Sequence, residues 1–114
     1  MKTSEATRCV RAALTPDLLR RDWAARRPQG ATSSWGLCYV ACEAVRFLAE
    51  EELHPRTVRV DEGVHWFLVT DSGEVVDPTA DQFRTPPRYE DGRGRGFLTK
   101  EPSKRTRVLL GRIT

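Results

Sequence analysis

The sequence predicts an α+β domain, with helical segments in its first half followed by consecutive strands that pair in a hairpin. Three observations carry this prediction. Leu37, Val40, Ala41, Ala44, Val45 and Leu48 recur at the i, i+3, i+4, i+7 spacing of a helix with one buried side. Thr57-Val58-Arg59-Val60 alternates and is rich in β-branched residues, the pattern of a strand. His65 to Val69 and Glu74 to Asp77 flank Asp71-Ser72-Gly73, a three-residue loop that closes a hairpin when its glycine takes the left-handed conformation.

With 114 residues the chain has room for one domain. A domain of this size buries roughly two-thirds of the surface its unfolded chain exposes, enough for a core without metal or disulfide staples. The core is expected over about residues 15–83, with 84–114 forming a basic loop and a C-terminal element. Charged residues make up 31% of the chain and hydrophobic ones 39%, which places it among globular proteins with a polar surface. No apolar run approaches the ~20 residues needed to span a bilayer, so no membrane partner is expected. Met1 to Arg8 lacks the apolar centre of a signal peptide, so the expected location is cytoplasmic, where thiols stay reduced.

Taken in order, Cys9 to Leu14 fits a short helix or a short edge segment equally well. Thr15-Pro16-Asp17 reads as an N-cap with proline at the first helical position. Leu18, Leu19, Trp23 and Ala24 extend that helix to about Arg26, with Arg20, Arg21, Arg26 and Arg27 on a solvated side. Pro28-Gln29-Gly30 ends it. Ser33 or Ser34 is expected to cap the helix of the apolar stripe. Tyr39, Glu43, Arg46 and Glu50 fall on its far side and are expected to meet water. Cys38 lies in its first turn, and Cys42 continues the row. Glu50 to Pro55 closes the helix, with His54 at the surface, and Asp61-Glu62-Gly63 is the turn after the first strand.

The hairpin loop sets a register in which Thr70 faces Glu74, Val69 faces Val75 and Phe67 faces Asp77. Side chains alternate along a strand, so His65, Phe67 and Val69 share one side with Asp77. Asp77 is then a diagonal neighbour of His65, roughly 7–8 Å away at the backbone and within side-chain reach. A slip of one residue would reverse that placement. Pro78 to Phe83 leaves the hairpin in a turn or a single helical turn, and Arg84 to Gly96 reads as an extended loop, a flexible or wrapping segment. Its glycines superficially match a phosphate-cradling loop, but no strand precedes them in the right place. Pro102-Ser103-Lys104 fits the start of a last helix through Leu109, while Thr106 to Leu110 reads equally as a strand.

Cysteine, histidine and aspartate in this order suggest thiol chemistry. Helix N-termini favour negative charge, a nearby imidazole exchanges the proton of a thiol, and a carboxylate on the other ring nitrogen fixes the imidazole's tautomer. Cys38, His65 and Asp77 fill those roles as nucleophile, base then acid, and orienter. The Cys38 backbone N–H, free in the first turn, can help hold an oxyanion. Each residue alone also has a structural reading: a small core cysteine, a hydrogen-bonded strand histidine, an aspartate that caps a turn. Trp35 and Trp66 read as walls of the site or as aromatic core. Cys38 and Cys42 with His54 or His65 could form a zinc set, but their spacing lacks the ligand pairs such sites use. The expected chemistry therefore needs no cofactor.

Residues 33–83 carry a resemblance. Gly36-Leu37-Cys38, His65-Trp66 and the segment Gly73 to Phe83, with Asp77, Thr79, Gln82 and Phe83, resemble the YunG-like family of small bacterial and phage proteins. That family shares a G-x-C helix start, an H-[YW] strand and a D-G-x-x-[IVL]-D-x-T-x-x-Q-F segment. More distantly the layout is similar to papain-like and transglutaminase-like enzymes. The resemblance implies a papain-like core in which the Cys38 helix packs on a small antiparallel sheet, and it marks Gln82 as a residue that orients the site or its substrate. Two departures stand out. Leu37 occupies a position where many members have glutamine, which removes a side-chain oxyanion donor, and Asp71-Ser72-Gly73 replaces a plain Asp-Gly.

The expected function is a small cysteine hydrolase or acyl-transferase acting on an amide or thioester, borne by a small molecule or a protein. The alternative is a non-catalytic binding or inhibitor protein of papain-like fold and phage or bacterial origin. It would meet its partner through residues 84–114, which carry 9 basic and 3 acidic side chains, whereas residues 1–83 carry 10 and 13. Nucleic acid is the remaining partner class for that segment, although only Tyr89 and Phe97 supply aromatics for stacking there.

Overall fold

The apolar stripe beginning at Leu37 becomes the central helix of the fold. A computed structural model describes residues 1–61 and 63–113. Glu62, in the turn expected at 61–63, lies outside the described residues. In chain order the elements are α1 (Thr3–Ala13), α2 (Arg21–Arg26), α3 (Cys38–Leu48), β1 (Leu53–Val60), β2 (Gly63–Thr70), β3 (Val75–Val76), β4 (Arg93–Gly94) and α4 (Lys104–Ile113). The strands form one antiparallel sheet in the order β3-β2-β1-β4. This is an α+β domain.

The open choice over the first fourteen residues resolves to a helix because Ala6 and Val10, one turn apart, are both fully buried in the core shared with α3. The single helix expected from Thr15 to about Arg26 is instead broken. Pro16–Leu18 forms one tight 3₁₀ turn, Leu19 and Arg20 are extended, and α2 starts only at Arg21. Adjacent residues point in different directions on a helix. The break lets both Leu18 and Leu19 enter the core.

At the head of α3 no side chain caps the helix, contrary to the role expected of Ser33 or Ser34. Buried Ser34 donates to Asp81 Oδ1 at 2.6 Å instead. The entry turn depends on Gly36, whose φ of +74° suits glycine, and a Cβ there would sit 2.7 Å from Leu19 Cδ2.

The far side of α3 is also not the solvated face expected. Arg46 and Glu50 are exposed, but Glu43 is buried and Tyr39 half-buried. The cause is α4, which resolves the helix-or-strand alternative at the C-terminal end. Ser103 Oγ accepts the Thr106 N–H at the start of α4, while Glu43 Oε1 accepts the Ser103 N–H at 3.1 Å and the Thr106 hydroxyl at 2.7 Å. Leu109 and Leu110 of α4 join the main core. Tyr39 packs edge-on against Trp66 and Phe97, and its hydroxyl accepts the Leu98 N–H at 2.8 Å.

β1 begins earlier than the alternating run suggested and includes His54 and Pro55. A strand residue's nitrogen and carbonyl point to the same side, and the Pro55 carbonyl accepts the Arg95 N–H at 3.1 Å. The missing N–H of Pro55 therefore faces the short β4 edge and removes no bond to β2.

The hairpin keeps the expected register, Val69 opposite Val75 and Leu68 opposite Val76. Leu53, Trp66 and Leu68 turn one face of the sheet to the helices, while Val58, Phe67 and Val69 form a second cluster on the other face with Tyr89 against it. The loop after Phe83 wraps over that second face. At Gly92 it passes so close that a Cβ would lie 2.5 Å from Phe67 Cζ. Among the described residues no helix is long and apolar enough to cross a membrane.

Candidate active site

Cys38 is the first residue of α3, and the helical ladder begins only with the Ala41 N–H on the Leu37 carbonyl at 3.0 Å. The N–H groups of the first turn thus precede that ladder, next to a half-buried thiol. His65 enters from β2 and Asp77 follows β3 directly, so the hairpin register brings their side chains together.

His65 Nε2 and Asp77 Oδ2 are 2.7 Å apart, and both side chains are shielded from water, at 1% and 3% exposure. With Nε2 held by the carboxylate, Nδ1 is the ring nitrogen left for Cys38, which lines the same cleft. Burial favours the neutral ring, but the hydrogen bond to Asp77 first, and then the neighbouring Cys38, outweigh it and raise the His65 pKa to about 9. Phe83 meets the imidazole edge-on at 4.7 Å and Phe67 stacks at 6.5 Å, which fixes the ring plane.

Asp77 is saturated with donors. Its Oδ2 also accepts the Tyr89 hydroxyl at 2.7 Å, and its Oδ1 accepts the Thr79 N–H at 3.1 Å. Arg11 of α1 donates to the carbonyls of Asp77 and Pro78, so the backbone of this turn is anchored as well. The Tyr89 phenol is kept firmly protonated, by burial first and then by its bond to the carboxylate.

Of the other residues singled out in the sequence, Trp35, Trp66 and Gln82 line the same cleft as Cys38 and His65, a space of about 340 Å³. Trp66 is also largely buried in the core, so its two readings are not exclusive. Gln82 braces two halves of the site. Its Oε1 accepts the Gly36 N–H at 3.3 Å, and its Nε2 donates to Thr79 Oγ1 at 3.0 Å, linking the turn before Cys38 to the turn after Asp77. Leu37 is buried and offers no polar group to an oxyanion.

The remaining thiols and the second histidine stand apart. Cys42 is fully buried, and burial first, then the neighbouring Cys38, pushes its thiol pKa well up. Cys9 lines a separate groove on α1. His54 is at the surface, as expected, bonded to Asp71 at 2.6 Å. Among the described residues no group of three or more His, Cys, Asp or Glu is placed to hold a metal ion. A wider groove between α1 and β3, about 670 Å³, touches Asp77 but neither Cys38 nor His65, which meet in the smaller cleft.

Tyr89, Thr79 and Phe83 contact the Asp77–His65 pair, and Tyr89 escapes a reading of the sequence. It lies in a proline- and glycine-rich stretch with no periodicity, and only the wrapped loop carries it to Asp77. Comparison with protein-family models, with curated proteins and with solved structures found no match to this chain.

Proposed function

We propose that this protein is a small cysteine-dependent hydrolase or acyl-transferase, with Cys38 as nucleophile, His65 as proton carrier and Asp77 as the group that orients His65. The observation carrying the proposal is the buried imidazole, held at 2.7 Å by Asp77 and lining one cleft with the half-buried Cys38. A papain-like core and YunG-like membership belong to the same proposal. They are supported by the order Cys, His, Asp and by a helix that starts at the cysteine beside an antiparallel sheet.

The Cys38 proton resides on His65 Nδ1, and the sulfur attacks the carbonyl carbon of an amide or thioester. A C–S bond forms and the carbonyl π pair moves to oxygen, beside the N–H groups at the start of α3. The oxyanion collapses, the bond to the leaving nitrogen or sulfur breaks, and His65 gives that atom its proton. Water, or an acceptor nucleophile in the transferase case, then attacks the Cys38 thioester and passes its proton to Nδ1. The C–S bond breaks, and the pair of sulfur and protonated ring is restored. Asp77 holds the Nε2 proton throughout.

Iodoacetamide labelling at neutral pH tests the assignment. Cys38 should react ahead of Cys9 and Cys42, and His65→Ala should remove that advantage. Equal labelling of all three cysteines in the wild type would count against it.

A further inference from the structure

The cleft around Cys38 has linings of two kinds. Trp35, Tyr39, Trp66, Phe83 and Leu98 present aromatic and aliphatic surface, while Arg20 and Arg105 bring two guanidinium groups into the same space. The half-buried Arg105 is fixed through Nη1, which donates to the Leu18 carbonyl at 3.0 Å, and it makes no ion pair among the described residues. Arg20 has only Asp22, at 4.0 Å, with both side chains largely exposed. Glu43 lies near Arg105, but its Oε1 is already bound to Ser103 and Thr106. Burial, and next the positive charge of Arg20, make the charged form of Arg105 less favourable than usual. The two guanidinium groups share one cleft, and the charges of Glu43 and Asp22 act on Arg105 without either carboxylate coming within ion-pair distance of it.

We infer that the acyl substrate carries a carboxylate, which Arg20 and Arg105 hold while the aromatic walls take its apolar body and Cys38 meets its carbonyl. This rests on the acyl-transfer reading of Cys38 and names the substrate class for that site. Guanidinium groups match carboxylates in geometry and charge. The volume of about 340 Å³ suits a small molecule or a single side chain with its flanking bonds. Part of the positive charge of residues 84–114 is thus placed inside the cleft, at Arg105, and is not all offered to an outside partner.

Two reagents with the same electrophile test this, chloroacetanilide and its 4-carboxy derivative. The rate of Cys38 labelling by each is read by mass spectrometry in the wild type, Arg20→Gln, Arg105→Gln and His65→Ala. The carboxylate reagent should label wild-type Cys38 about tenfold faster than the neutral one, the size of one charge-assisted contact. That ratio should fall toward one in either arginine variant and return in part with Arg20→Lys. Arg20 is exposed, so its variants test the point even if Arg105→Gln disturbs the Leu18 contact. A ratio near one in the wild type, or a preference that survives both glutamine variants, overturns the inference while His65-dependent labelling leaves the acyl-transfer reading standing. If neither reagent selects Cys38 and His65→Ala changes nothing, the underlying reading fails as well.

Discussion

Replacing Asp77 by asparagine should lower the His65 pKa by about two units or more. The size follows from the site. A rise from 6.5 to about 9 means that the surroundings favour imidazolium over imidazole by about 3 kcal/mol, and they do so against burial. Asp77 supplies the first hydrogen bond and a full negative charge at 2.7 Å. Asparagine can keep the Thr79 N–H bond through its carbonyl, which leaves its NH₂ group facing Nε2. The ring must then accept at Nε2 and carry its proton on Nδ1, where it no longer takes one from Cys38. At pH 7 the imidazolium fraction should drop from about 99 in 100 to less than half. The assay is proton–carbon NMR of the ring signals across pH. The chain has only two histidines, and His54→Gln assigns them. Cys38 alkylation should slow by on the order of 10²–10⁴-fold, as when the orienting acid of a triad is neutralised. A His65 midpoint unchanged in Asp77→Asn would refute the reasoning.

Three further outcomes are expected. Tyr89→Phe removes one donor from the buried Asp77 Oδ2 and should lower unfolding stability by about 1.5–3 kcal/mol in urea titration; no change would mean that the loop does not support the carboxylate. Glu43→Ala strips the Ser103 N–H and the Thr106 hydroxyl of their acceptor and should cost about 2–4 kcal/mol, with α4 amides exchanging faster with deuterium than those of α3. The folded pKa of His65 lies above its unfolded value, so its contribution to stability is fully present below about pH 6.5 and is lost as pH rises through about 9. The gap in urea midpoint between wild type and Asp77→Asn should accordingly be wide near pH 6 and narrow by about pH 9.5.

The site was more legible in the sequence than the fold around it. Side chains alternate strictly along strands, so one glycine-terminated loop sufficed to place Asp77 beside His65, and the Val69–Val75 pairing shows that register. Helical spacing likewise marked Cys38 as the head of α3. Polarity misled where a distant element supplies the cover. Glu43 sits on the polar side of its own helix, and nothing nearby in sequence reveals that the head of α4, sixty residues on, brings two donors to it. Tyr89 was hidden for the same reason, since loop wrapping leaves no periodicity to read. The broken helix at Leu19 reflects tertiary demand: two adjacent leucines both needed burial, and local propensity gave way.

The most direct measurement is whether an acyl group passes through Cys38. Mixing the protein with an activated ester such as p-nitrophenyl acetate should release one nitrophenol per chain in a burst. Digestion and mass spectrometry should then find the acyl group on Cys38 in the wild type and far less of it in His65→Ala. Acyl groups spread over Cys9 and surface amines, with His65→Ala indistinguishable from the wild type, would contradict a thiol active site at the head of α3.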